Sequence, residues 1–345
     1  MMKVATSGCR PKSENPHRWA LVLAAGEGSR LRALTTTSAG ISVPKQFCSL
    51  RGGSSLLDGA IRRARAIAAP QRTCAVVAAA HRRWWASLSE SIPAANIIVQ
   101  PDNRGTANGL LLPLLHIVRR DPGAILLVLP SDHYVRNEDV LAAALEDTVV
   151  HLESGHADIV MLGLAPEEPD TELGYILPAG SIDDGGARPI RSFAEKPDGA
   201  LARELISQGG LWNSFIFLAR AQALVQLFEQ RFPEIVMEMR GVLERFDHGP
   251  EGGLSLVELY QRLPVLDFSR DVVERFAGQF KVMMVPPCGW SDLGTPRRVA
   301  EVLDRGRCSH HARMPGERYV DGFLDLASQY LEWQSRMPEP QRMMT

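Results

Sequence analysis

Trp19-Ala-Leu-Val-Leu-Ala-Ala-Gly-Glu-Gly-Ser-Arg-Leu31 is the stretch on which the fold turns. An apolar run from Trp19 to Ala24 passes straight into a glycine-rich turn. So short a run, without polar alternation, reads as a strand buried on both faces. Working outward, helical and strand-like segments alternate. Ser54 to Ala68 reads as a helix, Thr73 to Ala79 and Asn96 to Val99 as strands. Thr106 to Arg119 reads as a helix with Thr106 as N-cap, Ala124 to Leu129 as a buried strand, and Asn137 to Leu152 as a helix. This alternation predicts an α/β protein with a doubly wound, mostly parallel, Rossmann-like sheet.

The second half reads as mixed. Ile159 to Leu164, Gly174 to Leu177, Ile190 to Glu195, Leu211 to Leu218 and Lys281 to Pro286 are expected strands. A helical stretch from Gln222 through Phe246 is expected between them, and the chain beyond about Thr295 reads as mostly helical. Residues 1–17 read as a flexible tail, 18–297 as the main domain and 298–345 as a C-terminal helical segment, frayed from Pro338 to Thr345.

The bulk composition narrows the classes. The 345 residues are 45% hydrophobic with a formal net charge of -2, which gives no basic excess for nucleic-acid binding. No apolar run approaches the ~18 residues of a membrane span. Cys9, Cys48, Cys74, Cys288 and Cys308 are widely spaced without a C-x-x-C pair, so a reducing cytoplasm is expected. Small-molecule substrates are the expected partners, with no nucleic acid and no membrane; a homo-oligomer is left open.

In an open parallel sheet, ligands bind beyond the carboxyl ends of the strands, and the polar clusters fall there. Gly26 and Gly28 let the backbone approach a phosphate or a base. Leu31 stands where a dinucleotide fingerprint needs its third glycine, and no G-K-[ST] follows, so the loop is neither that fingerprint nor a Walker A turn. It offers instead Arg30, a fixed charge suited to phosphate oxygens. Pro44-Lys-Gln-Phe47 presents Lys45 as a point charge or leaves it a solvated surface lysine. Asp132, in Leu129-Pro-Ser-Asp-His133, follows a buried strand, and Asn137 is available to cap the next helix in its place. Asp292, in Gly289-Trp-Ser-Asp-Leu-Gly-Thr-Pro296, is similarly free, because Thr295 and Pro296 form an N-cap and N1 pair. Two such carboxylates suit a shared hard cation, and a loop aspartate is the ordinary alternative for each. Phe193-Ala-Glu-Lys-Pro197 is either an ion pair near a turn or part of the site. Asn213, in Gly210-Leu-Trp-Asn-Ser-Phe215, is either a turn residue or a donor to sugar hydroxyls. The scattered histidines form no H-E-x-x-H; His151 and His156 do not share a helix face, and Trp84 and Trp85 read as packing or surface aromatics.

In this order the segments resemble the sugar nucleotidyltransferase family and, within it, the mannose-1-phosphate guanylyltransferases. The resemblance runs from about Trp19 to Thr295, through Gly26 to Leu31, Pro44 to Phe47, Asn103-Arg-Gly-Thr-Ala107, Pro130 to His133, Glu195 to Pro197, Trp212 to Ser214 and Trp290 to Gly294. It implies a nucleotide lined by Ala25, Gly26, Gly28, Asn103 and Thr106. It implies Arg30, Lys45, Asp132 and Lys196 as catalytic groups and Asp132 and Asp292 as ligands of Mg2+. Gly174, Tyr175, Glu195, Lys196 and Asn213 would meet the sugar phosphate. The expected reaction joins a nucleoside triphosphate, GTP by resemblance, to mannose 1-phosphate. The attacking phosphate oxygen is already ionised near neutral pH, so no general base is needed. The chain departs from the family in the loop's Ala24-Ala-Gly26, in the stretch from Leu34 to Pro44, at Gly105, and at Phe215, where the family commonly places glycine. The alternatives are a methylerythritol-phosphate type of cytidylyltransferase, which lacks the later segments, and a non-catalytic nucleotide-sugar-binding relative.

Overall fold

The computed structural model describes residues 15–246, 251–305 and 325–330. Most of the expected N-terminal tail and much of the C-terminal segment, including Cys9, Cys308 and Pro338 to Thr345, lie outside the described residues. The protein is α/β. The described strands are β1 Arg18–Ala24, β2 Thr73–Ala78, β3 Ile97–Gln100, β4 Ile125–Pro130, β5 Ile159–Leu164, β6 Tyr175–Pro178, β7 Ala187–Ala194, β8 Leu211–Arg220 and β9 Lys281–Val285. The helices are the single-turn α1 Arg32–Thr35, α2 Leu56–Ala64, the single-turn α3 Arg82–Trp85, α4 Gly105–Arg120, α5 Glu138–Glu153, α6 Gly199–Ser207, α7 Ala221–Arg231, α8 Pro233–Phe246, α9 Glu251–Arg262 and α10 Pro296–Arg305. Among the described residues no helix is long and apolar enough to cross a membrane.

The nine strands form one sheet in the order β3-β2-β1-β4-β8-β5-β9-β7-β6. Pairing is parallel across β3-β2-β1-β4 and again between β5 and β9. It is antiparallel where β8 lies between β4 and β5, and where β7 meets β9 and β6. The expectation of a mostly parallel sheet thus describes the first half, while the second is a mixed extension. Strand β8 enters between two strands that precede it in the chain, a long-range pairing that local patterning cannot reveal.

The strand at Trp19 is apolar throughout because both its faces are covered. Ala20, Val22 and Ala24 face a core layer that includes Leu57, Ala60 and Ile61 of α2 and Leu141, Leu145 and Val149 of α5. Trp19 and Leu21 face the opposite layer, with Leu110, Leu111 and Leu114 of α4 and Leu224, Leu227 and Phe228 of α7. Two-residue alternation thus divides one apolar run between two cores. Ser55 starts α2 with a capping box, its side chain accepting the Asp58 N–H while the Asp58 carboxylate accepts the Ser55 N–H. The expected helix from Gln222 to Phe246 is two helices, because Pro233 cannot continue α7 and begins α8 instead. Thr295 caps α10 as expected, accepting the Arg298 N–H at 3.3 Å, with Pro296 in the first turn.

Candidate active site

The chain leaves β1 at Ala24 and enters the glycine turn. A Cβ on Gly26 would meet nothing within 4 Å, so this backbone borders open space. Gly28 has φ +59°, and a Cβ there would lie 2.9 Å from Lys45 Cβ. Glycine is therefore required twice, by its conformation and by contact with Lys45. Gln46 secures the turn from behind, its Nε2 donating to Ala24 O at 3.0 Å and Gly26 O at 2.8 Å.

Lys45 is only 4% exposed, so it is no surface lysine. Its Nζ lies 2.8 Å from Asp132 Oδ2 and donates to the main-chain oxygen of Asp292 at 2.6 Å. A two-way backbone bridge between Tyr134 and Ser291, at 2.8 and 2.9 Å, ties the two acidic loops together. Burial pushes the Asp132 carboxyl up, yet Lys45 and His133 outweigh it and hold the group below the ordinary carboxylate range. Asp292 follows the same pattern: burial raises it, and Arg298, His133 and Lys45 bring it below the ordinary value.

Asp292 is not as free as its spacing implies. Its Oδ1 accepts the Gly294 N–H at 3.0 Å and pairs with Arg298, whose guanidinium also grips Asp170. Asn137 stands at the N-cap of α5 without a side-chain cap bond, so the cap reserved for it is not made; Asp132 is engaged by Lys45 instead. His133 packs edge-on against Trp290 at 5.2 Å between centroids. Burial pushes its imidazole down to about 4, which makes it a weak base near neutral pH.

Among the described residues no group of three or more His, Cys, Asp or Glu could hold a metal alone. That fits magnesium, which commonly takes one or two carboxylates and completes its shell with waters and substrate phosphates. Among the described residues, Asp132 Oδ1 and Asp292 Oδ2 make no ion pair shorter than 3.7 Å, leaving one oxygen of each acid for such a role.

A cavity of about 400 Å³ opens over these strand ends. Ala25, Gly26, Asn103, Thr106 and Asp132 all line it. Thr106 is not the N-cap of α4, which begins at Gly105 after Arg104. Its hydroxyl is drawn across the fold instead, accepting the Phe268 N–H at 2.7 Å and bonding Asp267 at 3.2 Å. Gly105 has φ +84°, and a Cβ there would strike the Leu266 carbonyl oxygen at 2.2 Å. The departure at Gly105 is thus a condition of this close contact. Asn103 Oδ1 accepts the Gly105 N–H at 3.0 Å and shapes the turn.

The residues expected at the sugar phosphate gather on the second half. A Cβ on Gly174 would lie 2.8 Å from Glu195 Oε2 and 3.4 Å from Asn213 Cβ. Asn213 is buried on β8; its side chain accepts the Phe215 N–H at 2.9 Å, a local turn within the strand, and its own N–H donates to Gly174 O at 2.8 Å. Burial first, then the nearby Asp267 carboxylate, pushes Glu195 up to about 6. Lys196 is exposed, with φ +50°. Tyr175 departs from expectation: its side chain is fully buried and its hydroxyl accepts the Asp170 N–H at 2.8 Å, so its ring is a core group. Arg30 points to this half too, with Glu172 at 2.8 Å and Asp292 at 3.9 Å.

Sequence reasoning missed Gln46, Arg298 and Asp267. Gln46 was visible inside the Pro44 to Phe47 segment and passed over beside the charged Lys45. Arg298 pairs with Asp292 six residues before it and with the distant Asp170, while Asp267 carries no local signal, since its partner Thr106 lies far away in the chain. As expected, His151 and His156 do not share a helix face, since α5 ends at Glu153; their rings stack at 5.3 Å because the turn after α5 folds His156 back.

A glycine turn and Asp132 thus line one cavity at the parallel strand ends of an α/β protein, and the buried Lys45 joins Asp132 to the Asp292 loop. The chain belongs to the Nucleotidyl transferase family, whose model matches residues 19–305. It is 30% identical over 297 residues to a mannose-1-phosphate guanylyltransferase of Escherichia coli, covering 82% of this chain and 59% of that protein. It is 29% identical over 293 residues to the alginate biosynthesis protein AlgA of Pseudomonas aeruginosa, covering 82% and 58%. The chain spans about three-fifths of the length of the curated relatives it matches. A solved structure from Thermus thermophilus, described as mannose-1-phosphate geranyltransferase, matches with TM-score 0.69 and 30% identity, over 83% of this chain and 79% of that one.

Proposed function

We propose that the protein transfers a guanylyl group from GTP to mannose 1-phosphate, forming GDP-mannose and pyrophosphate. The observation that carries this reading is Lys45, buried beneath the glycine turn and joined to Asp132 on the cavity wall and to the Asp292 loop. The names of the relatives add the sugar and the base. A phosphate oxygen of the sugar 1-phosphate attacks the α-phosphorus. The bond from that phosphorus to the oxygen bridging to the β-phosphorus breaks, and pyrophosphate departs with the electron pair.

Ala25, Gly26 and Gly28 hold the triphosphate by main chain, with Asn103 and Thr106 toward the base. Arg30 and Lys45 offset the phosphate charge. Gly174, Glu195, Lys196 and Asn213 orient the sugar phosphate, and Tyr175 contributes its main chain. Asp132 and Asp292 would hold Mg2+, which supplies charge neutralisation on the phosphates when bound. Alignment and electrostatics are then sufficient without a general base, in keeping with the low basicity of His133. A reducing cytoplasm is proposed as the compartment; the buried free thiols of Cys48, Cys74 and Cys288 support it.

The test is kcat/KM for each common triphosphate with mannose 1-phosphate, then for glucose 1-phosphate with the best triphosphate. GTP with mannose 1-phosphate is expected to lead. A base pocket that satisfies guanine's donors and acceptors leaves them unpaired with another base. A tenfold advantage for UTP, CTP or dTTP overturns the guanylyl reading. Absence of turnover with every pair overturns the reaction class.

A further inference from the structure

Strand β8 carries an irregularity directly beside the cavity. Its pairing with β5 runs Met161 to Phe217 and then jumps from Gly163 to Asn213, so β8 spends four residues where β5 spends two. The extra residues form a bulge. Ser214 fastens its base, donating from Oγ to Leu162 O at 2.6 Å and accepting the Ile216 N–H at 3.1 Å. Asn213 Oδ1 accepts the Phe215 N–H at 2.9 Å and fixes its crest. Phe215 adopts φ +58°, a left-handed conformation that disfavours bulky side chains. Bulges of this kind re-aim one side chain. Here the re-aimed group is a half-buried phenyl ring on the cavity wall.

The ring is held in place. Phe217 and Phe268 pack edge-on against it, with centroids at 6.4 and 6.0 Å. Thr106 and Asp267, which bond to each other, line the same cavity, as do Gly26 and Gln100. Glu195, Lys196 and Gly174 lie outside that lining. The ring therefore lines the part of the site bounded by the glycine turn and α4, and Asp267 stands between that part and Glu195.

From this placement we infer that Phe215 is a stacking residue for the nucleoside of the triphosphate. The inference rests on the reading above that this cavity takes a nucleoside triphosphate. A flat apolar ring, braced by two others and bordered by polar groups, matches the face of a heteroaromatic base with hydrogen-bonding edges. Such stacking tolerates any base, because every base has a π-face. Phe215 then supplies affinity for the nucleoside, and base choice falls to polar neighbours such as Asn103 and Gln100.

The test is calorimetric titration of GTP with Mg2+, without acceptor, into the native protein, Phe215→Gly, Phe215→Leu and Phe215→Trp. Glycine suits the left-handed position, so that variant loses the ring without adding backbone strain. The expected result is a Kd at least tenfold higher for Phe215→Gly, a smaller loss for Phe215→Leu, and affinity within threefold of native for Phe215→Trp. ATP should lose affinity in the same order. In steady state the KM for GTP should rise while that for mannose 1-phosphate moves less than threefold. Unchanged GTP affinity in a folded Phe215→Gly protein overturns the inference and leaves the proposed reaction standing, and so does a rise confined to the sugar phosphate KM. A native protein that binds no triphosphate overturns both.

Discussion

The two halves of the site meet the same geometric demand with partly different residues. In the first half, left-handed backbone falls on glycine, Gly28 at φ +59° and Gly105 at +84°. In the second, glycine takes it again, Gly209 at +81° and Gly289 at +65°, but so do Lys196 at +50° and Leu293 at +47°; Phe215 at +58° adopts it on β8, where that strand reaches the first half's cavity. A non-glycine residue held this way costs about 1–3 kcal/mol. The glycine positions are thus shaped by their own local sequence, whereas the three non-glycine positions must be held by their surroundings. Leu293 is fully buried, and its N–H donates to Ser291 Oγ at 3.1 Å. Phe215 has the Asn213 side chain and two aromatic neighbours. Lys196 is exposed and has the least to hold it. Such strain, where the fold retains it, marks positions at which a side chain is needed in a particular place.

The largest expected effect falls where the halves join. Asp132→Asn and Asp292→Asn should each lower turnover at least ~100-fold, because each removes charge from the site that would hold magnesium. Steady-state rates with thermal melts check this. Near-normal turnover in either folded variant would return its carboxylate to the status of a loop residue and leave the join without a shared cation.

How much of this was legible in the sequence follows the same division. Strands β1 and β4 were readable because each is a continuous apolar run ending in turn chemistry, and β5 was readable to its ends. The glycine turn was readable because glycine announces its own backbone. The burial of Lys45 was not: a lysine after a proline looks the same in solvent as beneath the loop, and only the partners from the segments after β4 and β9 distinguish them. The capping role given to Thr106 failed because its hydroxyl is taken by Phe268, a partner 162 residues away. The place of β8 between β4 and β5 was hidden for the same reason. Phe215 could be seen as a departure, but its left-handed backbone and its place on the cavity wall needed the bulge.

A smaller effect sharpens the contrast between the halves, with opposite signs expected for opposite substitutions. Gly28→Ala forces a side chain into a left-handed position and against Lys45, so it should destabilise the protein by about 1–3 kcal/mol. Lys196→Gly removes a strained, exposed residue. It should stabilise by up to about 1 kcal/mol, since relief of strain exceeds the entropy glycine adds to the unfolded chain. Urea titration of both variants against the native protein gives the two signs. A stabilised Gly28→Ala, or a Lys196→Gly that loses stability, would remove the distinction between glycine positions shaped locally and non-glycine positions held by their surroundings.

At the centre stands a division of labour: the glycine-turn half binds the triphosphate and the Glu195–Lys196 half binds the sugar phosphate. The most direct measurement is calorimetric titration of GTP with Mg2+ into Lys196→Ala, paired with the KM of the same variant for mannose 1-phosphate. The expected result is a GTP Kd within about twofold of the native value, with the loss of an ionic contact to phosphate, on the order of 1.5–3 kcal/mol, appearing in the sugar phosphate KM or in kcat. A tenfold or greater loss of GTP affinity in Lys196→Ala would place that lysine on the triphosphate and contradict the division of the site.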